Sequence, residues 1–576
     1  MLDIKPAVDA EPSVGVIHRR GIRISRQALI MIALLIAIGY FTIGPLIYLV
    51  QGTFTGSSGG FSFNNLHEAY AAPGIGTTIW DTVVYSMGSA VFAVVVGSAL
   101  AFMVARTNMP AKNLMIAASL VPLIIPGVLH TIAWLLLASP QIGALNTLLG
   151  LHLNIFSLGG MMFVQGLHTA PLVFLLTLAA FQGMDPSLEE AALCSGSTVP
   201  RMLRKVTFPL AKPAILGALI ISIVNGLESF EVPVLLGSYE GHRVITSEIW
   251  DALNQYPTQY GIAGAYALGL LLLTIIGVYY YSRVLSHGKR FATVTGKGFR
   301  PRTIELGAYR WVAAGLVGFY FLVAIILPIG ILVYASLQQI YLPPSAETLR
   351  HATGENYTKI FHSPDVKLAL KNSLILGTAS ATLIMFVMAF VAWFISRGKA
   401  RGRWILDAVA SAPIAIPSLV VGVALLFVYL RFPLAIYGSL WILLIAYITR
   451  YMPFGMRYAS SAMSQISVEL DEASTVSGAS LARTLRKIVL PLLLPGLLAG
   501  WIYIFIVSIR ELASSLLLYS PGNQVLSIVI WEQYQNGSIG GLAAIGTLLI
   551  GGLVAFVAIL LAVTRRTGAA DLGGAR

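Results

Sequence analysis

The chain has 576 residues, of which 57% are hydrophobic and only 11% are charged, and its mean hydropathy is +0.81. A soluble chain carries about 25% charged residues, so this composition excludes an ordinary soluble protein. The net charge of +13 does not indicate nucleic-acid binding, because the Lys and Arg residues cluster in short segments between apolar runs.

Apolar runs long enough to cross a bilayer recur along the chain, since a spanning helix needs about 20 residues. They do not alternate apolar and polar residues as membrane strands do, so the predicted fold class is an all-α polytopic membrane protein. The predicted spans 1 to 6 are residues 28–50, 80–104, 114–138, 160–181, 213–237 and 262–283. Spans 7 to 12 are residues 311–335, 369–395, 405–430, 440–462, 495–519 and 541–564.

Six spans in each half divide the chain into two transmembrane repeats in the same orientation, residues 28–283 and 311–564. A linker of residues 284–310 joins them, and tails of residues 1–27 and 565–576 flank them. Most of the 37 Lys and Arg fall in these three segments and in loops on the same side. The positive-inside rule therefore places both termini in the cytoplasm. The first apolar run is too long for a signal-peptide core, which indicates a retained first span.

Two prolines four residues apart occur in corresponding spans of the two halves. Pro122 and Pro126 lie in span 3, and Pro413 and Pro417 lie in span 9, at an offset of 291 residues. Proline removes a backbone donor, so each pair predicts a bend or break in its helix. The pairs either mark flexible points beside a pathway or are ordinary kinks, which membrane helices tolerate.

A charged segment between spans 4 and 5 recurs between spans 10 and 11 at an offset of 282 residues. The first copy contains Glu190, Ala191, Ala192 and Gly196, and the second contains Glu472, Ala473 and Gly478. Two Arg, one Lys and two Pro follow in the same register. The pattern predicts a short helix, a glycine turn and a second helix that ends at Pro209 in the first copy. A small apolar face between charged flanks suits insertion into a groove of a partner protein.

Ionisable residues within spans are costly to bury in a bilayer and are therefore functional candidates. They are His168 in span 4, Glu228 and Glu231 in span 5, Arg450 in span 10, and Arg510 and Glu511 in span 11. His168 and Arg450 also differ by 282 residues, and a parallel repeat brings such positions toward each other across the central axis. These residues are predicted to line a translocation route or its gate. The alternative is internal salt bridging between spans, such as Arg510 with Glu228, without substrate contact.

The Glu-Ala-Ala segment and its glycine resemble the cytoplasmic loop of permeases in binding-protein-dependent ATP-binding cassette (ABC) importers. The resemblance covers the six-span core of both halves and implies the type I importer permease fold. It implies that the two loops couple to ABC ATPase subunits, with two copies docked under the two halves. It also implies a separate substrate-binding protein and a location in the bacterial inner membrane.

The sequence contains no phosphate-binding segment of the form Gly-x-x-x-x-Gly-Lys-Ser/Thr. The chain is therefore expected to be a transport subunit without catalytic residues and without a cofactor of its own, whose ATP binds to the partner. Its nine histidines show no ligand spacing, so the sequence assigns no metal site.

The stretches from Glu228 to Gly237 and from Arg510 to Leu518 resemble fused ferric-iron permeases of that importer class. Carboxylates are ligands that a hard cation prefers, so ferric iron is the expected substrate. Arg450 and Arg510 oppose a purely cationic route. Permeases for phosphonate (2-aminoethylphosphonate), polyamine and thiamine share the architecture, so these substrates stay open. A secondary transporter also fits twelve spans in two parallel halves, but it leaves the repeated loops without a role.

Overall fold

The structure is a computed structural model that describes residues 26–56, 59–119, 121–288, 303–398, 402–430 and 436–566. Within these residues every regular element is a helix, apart from two isolated β-bridges, which confirms the all-α fold class. The predicted tails and the middle of the predicted linker lie largely outside the described residues.

Nine of the described helices are long and apolar enough to cross a membrane, and two bent helix pairs raise this number to eleven if each pair is one span. The nine are Gln27–Thr53 (span 1), Ile75–Arg106 (span 2), Leu158–Gln182 (span 4), Val199–Glu228 (span 5), Tyr260–Val284 (span 6), Tyr309–Ser336 (span 7), Pro364–Arg397 (span 8), Leu485–Ile509 (span 11) and Ile539–Leu560 (span 12). The bent pairs are Lys112–Leu123 with Gly127–Ala138 (span 3) and Trp404–Ala415 with Ser418–Tyr429 (span 9). Predicted span 10 is the helix Leu440–Ser464. It is not among the nine, and Arg450 and Arg457 lower its hydropathy.

Short helices connect the spans. They are Asn64–Tyr70, Ala144–Leu149, Pro186–Cys194, Glu231–Leu236, Ile245–Asn254, Ala346–Arg350, Glu355–His362, Val468–Val476, Ala513–Leu518 and Leu526–Gln535. The end of the linker lies against the end of span 2, where the Ile304 N–H donates to the Arg106 carbonyl at 2.8 Å. We call this side of the molecule the linker side and the opposite side the far side.

Both proline pairs break their helices, as predicted. The two segments of span 3 meet at 97° and those of span 9 meet at 105°. Pro126 and Pro417 have extended ψ angles of 139° and 145°, and each directly precedes the second segment of its span. Such a break leaves carbonyl groups of the preceding turn without helical donors. Spans 3 and 9 are therefore pairs of half-helices.

The helix after each repeated loop is longer than predicted. In the first half it begins at Val199 and continues through Pro209, so the prediction that it ends at this proline is wrong. A π-helical turn at Leu203–Thr207 precedes the proline, and Leu485–Val489 forms the same turn in the second half. A π turn widens the helix and makes room for the ring of a proline that has no N–H to donate. The second part of each loop is thus the start of the next span.

Spans 5 and 11 end earlier than predicted. Span 5 stops at Glu228, and a separate short helix begins at Glu231, so the continuous helix expected over 213–237 is interrupted. Pro233 explains the break, because in a continuous helix it would have to donate to the Ser229 carbonyl and has no N–H. The second half breaks at the corresponding place, after Ile509.

The two halves interlock through their outer spans. Spans 1 and 6 of the first half pack against span 9 of the second, and span 7 of the second half packs against span 3 of the first. Glycine permits close approaches between the halves: a Cβ on Gly52 of span 1 would lie 2.3 Å from the ring of Phe427 in span 9, and a Cβ on Gly264 of span 6 would lie 3.2 Å from it. Each broken span therefore packs against at least one span of the other half.

Gly97 of span 2 permits the close approach of span 4, because a Cβ there would lie 2.7 Å from the Ala170 carbonyl oxygen and 2.8 Å from Val173 Cβ. We expect Gly97→Ala to push these helices apart and to lower the free energy of unfolding by about 1–3 kcal/mol. A lower midpoint of thermal unfolding in detergent would show this. Gly315→Ala in span 7 is the matched control, because nothing lies within 4 Å of its Cβ position. Equal midpoints for both variants would contradict the argument.

Candidate functional site

Each repeated loop forms a short helix that ends in a glycine turn on the linker side. The first loop helix, Pro186–Cys194, starts at Asp185, whose carboxylate accepts a hydrogen bond from the Ser187 N–H at 2.9 Å. It is followed by Gly196, whose φ is +79°, and the second loop helix, Val468–Val476, is followed by Gly478, whose φ is +77°. Glycine adopts this left-handed conformation without the strain that a Cβ would cause. The predicted glycine turns are therefore present.

The loop helices expose most of the residues that the sequence singled out. Glu190, Ala191, Glu472 and Ala473 are exposed, and Ala192 is partly buried. Large apolar side chains next to them are exposed as well, namely Leu188, Leu470 and Val476. Small and large apolar side chains beside a carboxylate form a surface that suits the groove of another protein.

An ion pair, buried in the first half and partly buried in the second, fixes each loop helix to the end of a neighbouring span. Arg106, the last residue of span 2, pairs with Glu189, and their side chains are only 1% and 3% exposed. Arg397, the last residue of span 8, pairs with Asp471 at 2.5 Å. The sequence reasoning missed all four residues. The repeat offsets could have revealed them, because the two arginines differ by 291 residues and the two acids by 282.

A charged centre lies where spans 5 and 10 meet a broken span. Arg450 of span 10 forms an ion pair with Glu228 at the end of span 5, and this pair joins the second half to the first. The same guanidinium donates through Nη1 to the Ile416 carbonyl at 2.8 Å, inside the proline break of span 9. The arginine and glutamate side chains are 15% and 11% exposed, so the pair is largely shielded from solvent.

Equivalent positions of the other half carry different residues. Arg510 takes the place of Glu228, and His168 takes the place of Arg450, each at an offset of 282 residues. Arg510 donates to the Leu123 carbonyl in the proline break of span 3, and the His168 ring lies 5.2 Å from the ring of His130 in the same span. The equivalent positions therefore hold a Glu–Arg ion pair in one case and an Arg and a His in the other.

Two further carboxylates lie at the starts of the second half-helices of spans 3 and 9. Glu231 lies beside Gly127, 3.4 Å from the position that a Cβ on this glycine would take. Glu511 accepts hydrogen bonds from the hydroxyl groups of Ser418 and Tyr451. The positive end of a helix dipole favours a carboxylate at such a position. Carboxylates of both halves therefore lie at the breaks of spans 3 and 9.

Of the six predicted pathway residues, Glu228 and Arg450 pair directly. Arg510, Glu231 and Glu511 lie at the breaks of spans 3 and 9. His168 lies against His130 of span 3, with ring centroids 5.2 Å apart. The proposed pairing of Arg510 with Glu228 is wrong, because Glu228 pairs with Arg450, while Arg510 is engaged by the break in span 3. The part these residues take in transport stays a prediction. In the part of the chain that the structure describes, no three His, Cys, Asp or Glu side chains are grouped to hold a metal ion.

Removing one member of the Glu228–Arg450 pair would leave a buried charge without a partner. We expect Glu228→Ala and Arg450→Ala each to lower the free energy of unfolding by about 3–5 kcal/mol, and the double variant to lose clearly less than the sum. Unfolding of the three variants in nanodiscs forms a double-mutant cycle. The exposed Glu355–Lys359 pair, 43% and 64% exposed, is the control, and its double-mutant cycle should show no clear coupling. Additive losses at the buried pair would contradict its coupling.

Comparison with known families finds similarity in both halves of the chain. Residues 91–287 and 381–567 each match the family described as "Binding-protein-dependent transport system inner membrane component". Together the two matches cover more than half of the 576 residues.

Individual relatives are permease subunits. The "Putative ferric transport system permease protein FbpB 1" of Haemophilus influenzae is 27% identical over 382 residues, which are 66% of this chain and 59% of the relative. The "Fe(3+)-transport system permease protein FbpB 2" of the same organism is 22% identical over 487 residues, 84% of this chain and 89% of the relative. The "Putative 2-aminoethylphosphonate transport system permease protein PhnV" of Salmonella typhimurium is 29% identical over 242 residues, 41% of this chain and 89% of the relative. The chain thus spans less than two thirds of the length of FbpB 1 and also of the Actinobacillus pleuropneumoniae ferric permease, at 59% and 58%.

Proposed function

Because the chain belongs to the family of binding-protein-dependent transport system inner membrane components, we propose that it is the membrane-spanning permease subunit of an ATP-driven importer. The observation that carries the proposal is the pair of exposed loop helices, one in each half, each of which is followed by a glycine turn. Two copies of one surface suit two copies of an ATPase subunit. ATP binds to those partners, and this chain transports without catalysing a reaction.

The linker side faces the cytoplasm in this proposal, together with both termini, in agreement with the distribution of Lys and Arg. A substrate-binding protein docks on the far side and releases its substrate toward the charged centre. Closure of the ATPase subunits pushes on the loop helices and changes the side from which the centre is open. The residues proposed to line the route or its gate are His168, Glu228, Glu231, Arg450, Arg510 and Glu511.

Ferric iron is the proposed substrate. Two relatives that match most of this chain are ferric permeases by name. The carboxylates of Glu228, Glu231 and Glu511 are hard oxygen ligands, which a hard trivalent cation prefers.

A phosphonate is the second candidate substrate. Arg450 and Arg510 lie in the same centre, and guanidinium groups bind phosphoryl oxygens through paired hydrogen bonds. A permease named for 2-aminoethylphosphonate matches 41% of this chain at 29% identity. The aminoalkyl end of such a substrate would pair with a carboxylate of the centre.

The loop glycines test the importer class. Gly196→Phe combined with Gly478→Phe forces a bulky residue into a left-handed backbone conformation, which costs roughly 1–2 kcal/mol at each turn and shifts the docking surface. We expect the double variant to enter the membrane normally, to lose the ATPase in co-purification and to lose transport. Gly307→Phe is the matched control, because this linker-side glycine also has a left-handed φ, +55°, with open space around it. Transport at the wild-type level by the double variant would argue strongly against the proposal.

Uptake by iron-starved cells tests the substrate. Deletion of the gene is expected to abolish uptake of radiolabelled ferric iron, and the wild-type gene should restore it. Glu231→Gln should lower uptake several-fold, because it replaces a carboxylate of the centre by a neutral amide. Glu347→Gln, an exposed residue of the helix Ala346–Arg350, is the control and should leave uptake unchanged. If deletion spares iron uptake and abolishes 2-aminoethylphosphonate uptake, the substrate is the phosphonate.

A further inference from the structure

Spans 2 and 8 are the longest helices in the described part of the chain, with 32 and 34 residues. At 1.5 Å per residue each is about 50 Å long, which reaches from the linker side to the far side. Neither span contains an internal proline or a π turn, whereas spans 4, 5, 10 and 11 each contain an internal proline. An uninterrupted helix moves as one body, so a displacement of one end reappears at the other.

The linker-side end of each long span is tied to a loop helix. In the first half, Glu189 accepts hydrogen bonds from Arg106 of span 2 and, at 2.6 Å, from the hydroxyl of Thr207. In the second half, Arg397 of span 8 pairs with Asp471 and donates to the Ile466 carbonyl at 2.8 Å, just before the second loop helix. A push on either loop helix is therefore passed to the end of the attached span.

The far end of each long span holds the start of a short helix through a hydroxyl group. Thr82 of span 2 accepts a hydrogen bond from the N–H of Ile245, the first residue of the helix Ile245–Asn254, at 3.0 Å. Ser373 of span 8 accepts one from the N–H of Leu526, the first residue of the helix Leu526–Gln535, at 2.8 Å. The two hydroxyl residues differ by 291 residues, so the connection is repeated in both halves.

These two short helices, which we call the far-side helices, meet across the boundary between the halves. The rings of Trp250 and Trp531, one from each helix, lie 5.8 Å apart, and Phe230 beside the charged centre lies 5.9 Å from Trp531. Aromatic contacts at such distances hold surfaces together without a covalent or ionic bond. Movement of the far-side helices would therefore open or close the contact between the halves.

The far-side helices also hold the ends of spans 5 and 11. The Thr246 hydroxyl donates to the Ser229 carbonyl at 2.7 Å, and the Ser527 hydroxyl donates to the Glu511 carbonyl at 2.6 Å. Both acceptors lie at the points where these spans break, next to the charged residues. A displaced far-side helix would thus disturb the centre as well as the aromatic contact.

We propose that spans 2 and 8 are two transmission rods, which carry movement of the loop helices to the far-side helices. Arg106 and Arg397 are the positioning residues at the linker side, and Thr82 and Ser373 are the positioning residues at the far side. This inference rests on the proposed function, because the movement that it transmits is the closure of the ATPase subunits. In this proposal the two membrane surfaces communicate through four side-chain contacts, which we call joints. Two are made by Arg106 and Arg397 on the linker side, and two by Thr82 and Ser373 on the far side.

The test uses the full chain reconstituted in vesicles with its ATPase subunits and binding protein. The variant is Thr82→Val combined with Ser373→Ala, which removes both far-side joints with little change in volume. We expect the basal ATPase rate and assembly to be unchanged, and stimulation of the ATPase by the binding protein to fall several-fold. Ser247→Ala is the matched control, because this buried hydroxyl of a far-side helix has no partner among the described residues. Full stimulation in the double variant would overturn the rod proposal.

The ion pair between Arg106 and the first loop helix is tested independently with a spin label on Cys194. This residue is the one cysteine of the sequence and is exposed at the end of the first loop helix. A nitroxide attached there should become more mobile in Arg106→Gln, which frees the first loop helix. It should keep its wild-type spectrum in Arg397→Gln and in the Thr82→Val and Ser373→Ala variant, whose defects lie elsewhere. An unchanged spectrum in Arg106→Gln would remove the linker-side joint from the proposal. Failure of the wild-type chain to bind an ATPase would instead contradict the proposed function itself.

Discussion

The need to satisfy polar groups inside the membrane is the constraint on which the rest of this structure depends. A bilayer offers no water, so a carbonyl freed by a helix break needs a donor from the protein. The proline breaks of spans 3 and 9 free such carbonyls, and Arg510 and Arg450 supply the donors. A buried guanidinium in turn needs negative charge nearby, and Glu228 provides it for Arg450. The broken spans, the charged centre and the contact between the halves are therefore interdependent.

The two halves repeat a plan but not its chemistry. A perfect duplication would have repeated the Glu228–Arg450 pair, whereas the equivalent positions of the chain carry Arg510 and His168. Two separate identical subunits could not differ in this way, because symmetry would force the same residue on both. Fusion of the halves removes that restriction. It permits a centre whose two sides differ in charge. Such a centre can attract a charged substrate more strongly on one side than on the other.

The contacts that connect the membrane surfaces are of two kinds. Ion pairs join the loop helices to spans 2 and 8, and hydroxyl groups join the same spans to the far-side helices. A buried ion pair resists separation because each charge would lose its partner in a poorly polar environment. A single hydroxyl contact is weaker and yields more easily. Both kinds of contact link each long span to its short helices, and the ion pairs on the linker side are the stronger of the two.

Much of this arrangement could be read from the residues alone. Glycine at positions 196 and 478 predicted the turns, because left-handed backbone is a local property of glycine. The paired prolines likewise predicted the breaks of spans 3 and 9, and hydropathy predicted the membrane helices. The residues predicted to line the pathway stood out because a charge inside an apolar run is visible in the sequence without any knowledge of its neighbours.

The partners of these residues could not be read in the same way. Glu228 belongs to Arg450 and not to Arg510, and Glu189, next to the more conspicuous Glu190, is the residue that Arg106 holds. These pairings join residues that are far apart in the chain, so they depend on how the helices pack. The sequence by itself thus determined the class of protein, its duplication and its local breaks, since these follow from short-range chemistry. Only the tertiary structure decided which charges meet. A charge buried in a bilayer needs a partner of opposite charge, and helix packing determines which side chain can serve as that partner.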